Sequence, residues 1–331
     1  MKKAMRVLLA GFLACAALCG CGKETSGRTP VTLYEVAHSI FYAPQYVAIE
    51  LGYFQEEGID LTLVNGAGAD KVMTALISGD AQIGFMGSEA SIYVSQEGAD
   101  DPAVNFAQLT QRAGNFLVGR TAQPDFKWED LKGKKVLGGR AGGMPQMVFE
   151  YILKKHGIDP KTDLTIDQSI SFGLTAAAFT SGDADYTVEF EPFATTLEME
   201  NCGTVVASLG RDSGYVPYTA YCAKKSYMEK NPQLIQKFTN AIQKGLDYVN
   251  SHSAWEIAKT IQPQFKDTPV EKIAAIIDRY KSQDTWKEDT IFEKDSFELL
   301  ENILEESGEL KKRVPYEDLV RTDFSINAAK K

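Results

Sequence analysis

The sequence predicts an α/β protein of two lobes, each a mixed, mostly parallel sheet flanked by helices, with a helical C-terminal part. Three observations predict it. Strand and helix signals alternate through the first hundred residues. The same alternation restarts after about Asn115. The chain, at 331 residues, also exceeds the usual size of a single core.

Residues 31–36 (VTLYEV) read as the first strand. Pro44 suits the first turn of a helix that continues through residues 45–51 and stops at Gly52. Residues 60–65 (DLTLVN) alternate in apolar character, as a strand does. Gly66, Ala67 and Gly68 turn the chain into a helix over 70–78, with Val72, Met73, Leu76 and Ile77 facing inward. Residues 81–86 form another strand, and Ser88 can cap the helix after it.

Beyond Asn115, residues 134–137 read as a short strand, 140–143 (RAGG) as a loop and 144–156 as a helix ended by Gly157. Residues 164–170, 172–181 and 184–190 give strand, helix and strand. This unit shares the grammar of the first without repeating its sequence. After Tyr218 the signals turn helical. Asn231-Pro232 is an N-cap with Pro behind it, and Leu234, Phe238, Ile242, Leu246 and Val249 line one face. Residues 268–271 (TPVE) read as a capping box ahead of Ile273, Ile276, Ile277 and Tyr280. Phe297, Leu300, Ile303 and Leu304 mark a further amphipathic helix. These stripes read as packing faces rather than ligand boxes.

At the start, Lys2, Lys3 and Arg6 precede an apolar run over residues 7–18. The run is shorter than the ~20 apolar residues a membrane helix needs, and the pattern describes a secretory signal peptide. Two cleavage sites fit. Ala14-Cys15-Ala16 would release a soluble protein, whereas Leu18-Cys19-Gly20-Cys21 resembles the bacterial lipobox. That resemblance favours removal of residues 1–20, lipidation of Cys21 and a polar tether over 21–29. The expected location is extracytoplasmic, lipid-anchored to the bacterial cell membrane. Losing three basic residues takes the formal charge from −10 to about −13. Such acidity argues against nucleic acid as a partner. Export permits a disulfide between Cys202 and Cys222, but two buried free thiols are the preferred reading.

Residues 42–92 read YAPQYVAIELGYFQEEGIDLTLVNGAGADKVMTALISGDAQIGFMGSEASI. This stretch resembles the substrate-binding proteins of ABC importers for nitrate, sulfonates and thiamine pyrimidine precursors. Matching features are A-P-x-Y-V-A, then G-Y-F-x-E-E-G-I, a helix ending in S-G-D, and Q-I-G-F. Gly142-Gly143-Met144-Pro145, Ser181 to Asp185 (SGDAD) and Phe190-Glu191-Pro192 also fit, in order, so the resemblance spans nearly the whole mature chain. It implies a two-lobe type II periplasmic-binding-protein fold. One lobe would take residues 29–115 and 218–331, and the inserted lobe 116–217. It further implies capture of a small solute between the lobes, with hinge closure. Delivery would be to a permease and its ATPase. A monomer without cofactor or metal is expected, touching the membrane through its lipid anchor only.

Ligands of open α/β sheets bind beyond the carboxyl ends of strands. Five loops qualify. His38, Phe41 and Tyr42 follow the first strand, as a ligand-facing set or a core aromatic cluster. Gly68 precedes a helix N-terminus. Ser88 and Glu89 do the same, with Ser88 a site group or only a cap. Arg140, Gly142 and Gly143 pair a cation with a helix entry, an anion site or a surface charge. Glu189 and Glu191 end a strand, as acceptors for an amino-pyrimidine or as partners of a surface Lys. Sulfonate or nitrate would call on Arg140 and Arg112. A pyrimidine or flavin would call on Phe41, Tyr42, Phe172, Tyr215 and Glu191, and this richer kit tips the reading toward an aromatic solute.

The main alternative is an enzyme, because the superfamily resembles a pyrimidine synthase with a dense cysteine motif and a reactive histidine. No such cysteine run occurs here, and His38, His156 and His252 are scattered. A non-transport sensor lipoprotein is the third reading.

Overall fold

A computed structural model describes residues 27–139, 141–170 and 173–330. The signal peptide and lipobox read above lie outside these residues. Among the described residues, ten strands form two sheets of five. In chain order they are β1 Thr29–Glu35, β2 Ile59–Asn65, β3 Ile83–Met86, β4 Ala103–Thr110, β5 Asn115–Gly119, β6 Lys135–Leu137, β7 Thr165–Asp167, β8 Tyr186–Phe190, β9 Thr204–Ser208 and β10 Thr219–Lys224.

The first sheet runs β2-β1-β3-β10-β4 and the second β7-β6-β8-β5-β9. Each therefore has three parallel strands, then one antiparallel strand, then a last strand. The antiparallel strand is in each case the one that enters from the other lobe. After β4 the chain crosses and begins β5; after β9 it crosses back and begins β10. Thr110 and Thr219 share a hydroxyl hydrogen bond of 2.5 Å where the crossings meet. This is the two-lobe periplasmic-binding-protein fold with a helical C-terminal part.

Helices cover both sheets because their apolar stripes are inward. The 20-residue helix Pro232–Ser251 buries Ile235, Phe238, Ile242, Leu246 and Val249 against the helix Ala43–Glu50. The two approach closely at Gly245, where a Cβ would run into the Pro44 carbonyl. Phe238 also packs on Tyr221 and Phe54, joining this layer to the first sheet.

Several expectations need correction. Residues 219–224 form a strand in the middle of the first sheet, not the start of a helical region. Strands β4, β5 and β9 were not foreseen. Ile77 is 50% exposed, and Leu234 yields the inner face to Ile235. The helix after Phe172 begins at Thr175. The TPVE stretch makes no capping box, since Pro269 takes the N-cap position; Ser253 and Glu256 make one instead. Asn231 sits at its cap position but turns its amide to the Tyr227 carbonyl. Cys202 and Cys222 are both free thiols, with Cys222 buried and Cys202 only half-buried.

Candidate functional site

The lobes meet at the carboxyl ends of their parallel strands. Because β5 and β10 run antiparallel, they start at these same ends: Asn115 lies opposite Phe190, and Ala220, the second residue of β10, opposite Met86. Four loops and two strand starts thus converge. Contact between the lobes is both polar and aromatic. Ser39 Oγ donates to the Glu191 carbonyl at 3.1 Å, and Tyr93 Oη donates to the Gly142 carbonyl at 3.3 Å. The Phe41 ring lies 5.9 Å from Phe190, 5.7 Å from Tyr218, 5.2 Å from Tyr42 and 5.3 Å from Tyr280. The crossing segment presses on this group: a Cβ at Gly114 would sit 2.5 Å from the Phe41 ring. Trp286 Nε1 donates to the Phe41 carbonyl at 2.8 Å and holds that short 3-10 turn in place.

On the first lobe, Glu35 is fully buried at the end of β1. It accepts from His38 Nδ1 at 2.8 Å, Gln45 Nε2 at 2.7 Å and Tyr46 Oη at 2.8 Å. His38 Nε2 meets the Gln264 carbonyl at 3.0 Å, and its ring stacks on Phe265. Both ring nitrogens face acceptors, so the imidazolium is the form that satisfies them. The hydrogen bond to Glu35 accordingly raises the His38 pKa above its ordinary value, against burial. Gly68 enters the helix Ala69–Ser78 with φ +142°, a conformation open to glycine. Ser88 stands at the N-cap position of Glu89–Gln96, yet its hydroxyl donates to the Pro217 carbonyl in the returning crossing. Glu89 is buried, its carboxylate lying against Gly87, where a Cβ would collide with it.

On the second lobe, Gly142 N–H donates to Gln146 Oε1 at 2.8 Å, and Gly143 leads into the helix Met144–Lys155. Glu189 is buried and accepts from Thr187 Oγ1 at 2.6 Å and Thr175 Oγ1 at 3.0 Å. Burial pushes its carboxyl up to about 7, against both hydroxyls. Glu191 is buried and fully engaged: Thr195 donates from N and Oγ1, each at 2.9 Å, and Arg279 from Nη1 at 2.6 Å. Arg279 also reaches Glu198 at 2.5 Å and lies over the Phe116 ring, so it ties a first-lobe helix to the second lobe.

The structure therefore brings Phe41, Tyr42, Ser88, Glu89 and Gly142 to the meeting of the lobes. His38 and Glu189 are turned into their own lobes, and Gly68 forms a helix entry on the first. Tyr215 is half-exposed, bonded to Asp284 at 2.7 Å and stacked under Arg112, outside the aromatic group. Cys21, Arg140 and Phe172 lie outside the described residues. Two residues that sequence reasoning passed over stand out. Asn115 is 0% exposed, and neither its Nδ2 nor its Oδ1 has a hydrogen-bond partner. The buried Tyr218 hydroxyl has none either. Their signal was positional: each opens, or directly precedes, a strand that has just crossed between lobes. Among the described residues no group of three or more His, Cys, Asp or Glu side chains could hold a metal ion, and no helix is long and apolar enough to cross a membrane.

Two mixed α/β lobes joined by two crossings, with buried aromatic and polar groups at their meeting, define the solute-binding-protein class of fold. Residues 40–254 match the family described as "NMT1/THI5 like", and the chain belongs to that family. A Bacillus subtilis (strain 168) relative, "Putative binding protein YtlA", is 47% identical over 309 residues, covering 93% of this chain and 92% of its own length. The 4-amino-5-hydroxymethyl-2-methylpyrimidine phosphate synthase THI5 of Saccharomyces cerevisiae is 23% identical over 249 residues, 69% of each chain. Among solved structures, the periplasmic nitrate-binding protein NrtA of Synechocystis PCC 6803 superposes with a TM-score of 0.75 at 16% identity, over 92% of this chain and 89% of its own. The alkanesulfonate-binding protein SsuA of Xanthomonas axonopodis pv. citri, bound to MOPS, gives 0.70 at 16% identity, over 88% and 98%. These last two likenesses are of fold.

Proposed function

We propose that the protein is the extracytoplasmic solute-binding component of an ABC importer. It captures a small, uncharged or cationic aromatic solute between its lobes and hands it to a permease without chemical change. The observation that carries this reading is the aromatic contact of Phe41 with Phe190 and Tyr218, together with two hydrogen bonds that join the lobes. Aromatic side chains at such a seam suit a flat ring. Arg279 is already engaged by Glu191 and Glu198, so its charge is not free for an anionic solute. The name of the 47% identical relative supports binding over catalysis. The two lobes, residues 29–115 with 218–331 and residues 116–217, would close on the solute as a hinge. Cys21 would carry the lipid anchor.

A thermal-shift screen of pyrimidines, riboflavin, sulfonates and nitrate tests the ligand. A binder present at a hundredfold excess over Kd adds about 2.7 kcal/mol of stability. Stabilisation by aromatic solutes is the expected result; stabilisation by sulfonate or nitrate alone overturns that assignment. A changed product by mass spectrometry would overturn the absence of turnover. Cys21→Ala should release the protein into the medium or block its processing, and normal membrane retention would remove the anchor.

A further inference from the structure

Buried polar side chains in folded proteins almost always have partners, because an orphaned donor or acceptor loses its hydration for nothing. Asn115 breaks this rule with both atoms of its amide, so the orientation of the amide does not matter. Tyr218 breaks it with its hydroxyl. Asn115 opens a strand of the second sheet, Tyr218 directly precedes a strand of the first, and both adjoin the same aromatic contact. Asn115 pairs in register with Phe190, so their side chains share a face of the second sheet. The Phe190 ring is 6.2 Å from that of Tyr218. Gly114, next to Asn115, is pressed against Phe41.

Resting on the aromatic-solute reading above, we infer that Asn115 and Tyr218 select the ligand by its edge. A carboxamide offers a donor and an acceptor side by side. Its complement is a planar group with an N–H beside an acceptor atom, as in a lactam or an amino-substituted azine. Asparagine reads the edge of adenine in this bidentate way. The Tyr218 hydroxyl supplies a third contact from the side of the first sheet, so full satisfaction requires groups beside both sheets to engage the same ring. An oxyanion offers acceptors only. It would leave Asn115 Oδ1 unpaired and facing negative charge, so the site discriminates against it.

The test compares 2-pyridone, which carries the N–H and carbonyl side by side, with N-methyl-2-pyridone, which lacks the donor. Methanesulfonate serves as the oxyanion. Each is titrated calorimetrically into the full chain. The wild type should prefer 2-pyridone at least tenfold over its N-methyl analogue and over methanesulfonate. Asn115→Leu should collapse the preference between the two rings to near unity while still binding N-methyl-2-pyridone, and should melt no lower than the wild type. Tyr218→Phe, which keeps the ring, should lose several-fold affinity for both ring compounds, because each keeps the carbonyl that the hydroxyl would reach. If Asn115→Leu does not fold, Tyr218→Phe alone decides. An unchanged preference in Asn115→Leu, unchanged affinities in Tyr218→Phe, or equal binding of both rings by the wild type overturns the edge-reading role and leaves the aromatic reading standing. Failure of the wild type to bind either ring overturns both.

Discussion

Glu191 and Asn115 are two buried polar side chains at the same end of the second sheet, and they differ in one respect. Every oxygen of the Glu191 carboxylate has a partner: Thr195 from the following helix and Arg279 from the other lobe. Neither polar atom of Asn115 has one. Burial alone would make both look functional. Counting donors and acceptors separates them, because a group already satisfied by protein holds the structure, whereas an unsatisfied one is left for something that arrives later.

The strongest way to break this contrast is to remove the cation. Arg279→Met leaves the fully buried Glu191 carboxylate without its charged partner, and breaking such a pair costs about 3–5 kcal/mol. Urea unfolding should show a loss at the lower end of that range, because Arg279 is partly exposed. A loss under about 1 kcal/mol would mean that Glu191 does not depend on Arg279.

Glu189 sharpens it next, as a buried carboxyl with hydroxyl donors and no cation. Its pKa, raised by burial to about 7 from 4.5, keeps the proton on the folded chain after the unfolded chain has lost it. Stability from this group is therefore full below pH 4.5 and lost as pH rises through about 7. Glu189→Gln should remove that slope and stabilise the protein at pH 8 by up to about 3 kcal/mol. Denaturant midpoints at pH 5 and pH 8 for both proteins check this, and parallel midpoints would refute it.

Asn115→Leu, the complementary change, should stabilise the ligand-free protein by about 1–2 kcal/mol, since it removes two unsatisfied atoms in a volume leucine can fill. A destabilisation would place Asn115 with the structural groups. The smallest effect belongs to His38. Its raised pKa makes its pairing with Glu35 fully stabilising below pH 6.5, with the benefit lost as pH rises through the raised value. His38→Gln should flatten that decline by less than about 1 kcal/mol, because the ring is partly exposed. Equal slopes in wild type and variant between pH 6 and pH 8 would count against it.

The parallel half of each sheet was legible because its signals are local. Strands β1, β2 and β3 alternate with helices within a few tens of residues, and glycines mark the boundaries. Strands β4 and β10 were not legible. Residues 103–110 (AVNFAQLT) are buried throughout, so no inward-outward alternation shows. The polar Asn105 belongs inside only because distant backbone serves it, its Nδ2 donating to the Leu319 carbonyl. The same distance explains the site. Glu191 reads as a ligand group at a strand end, while its partner Arg279 lies 88 residues further on. Asn115 gives only the positional sign of a strand start, since its interest is a missing partner, a property of the finished interior.

The insertion of β10 between β3 and β4 also dictates an order of completion during synthesis. The first sheet begins with residue 29, yet Cys222 must pair with both Gly84 and Asn105 before that sheet is continuous. Until residues 219–224 emerge, β3 and β4 have no strand between them, and each carries a raw edge open to wrong pairing. The second sheet, drawn wholly from residues 115–208, needs nothing made later. The usual sequence in which the N-terminal unit folds first is therefore reversed here. The lobe that starts the chain is the one that finishes last, its closure waiting on pairings of long sequence separation that are slow to form.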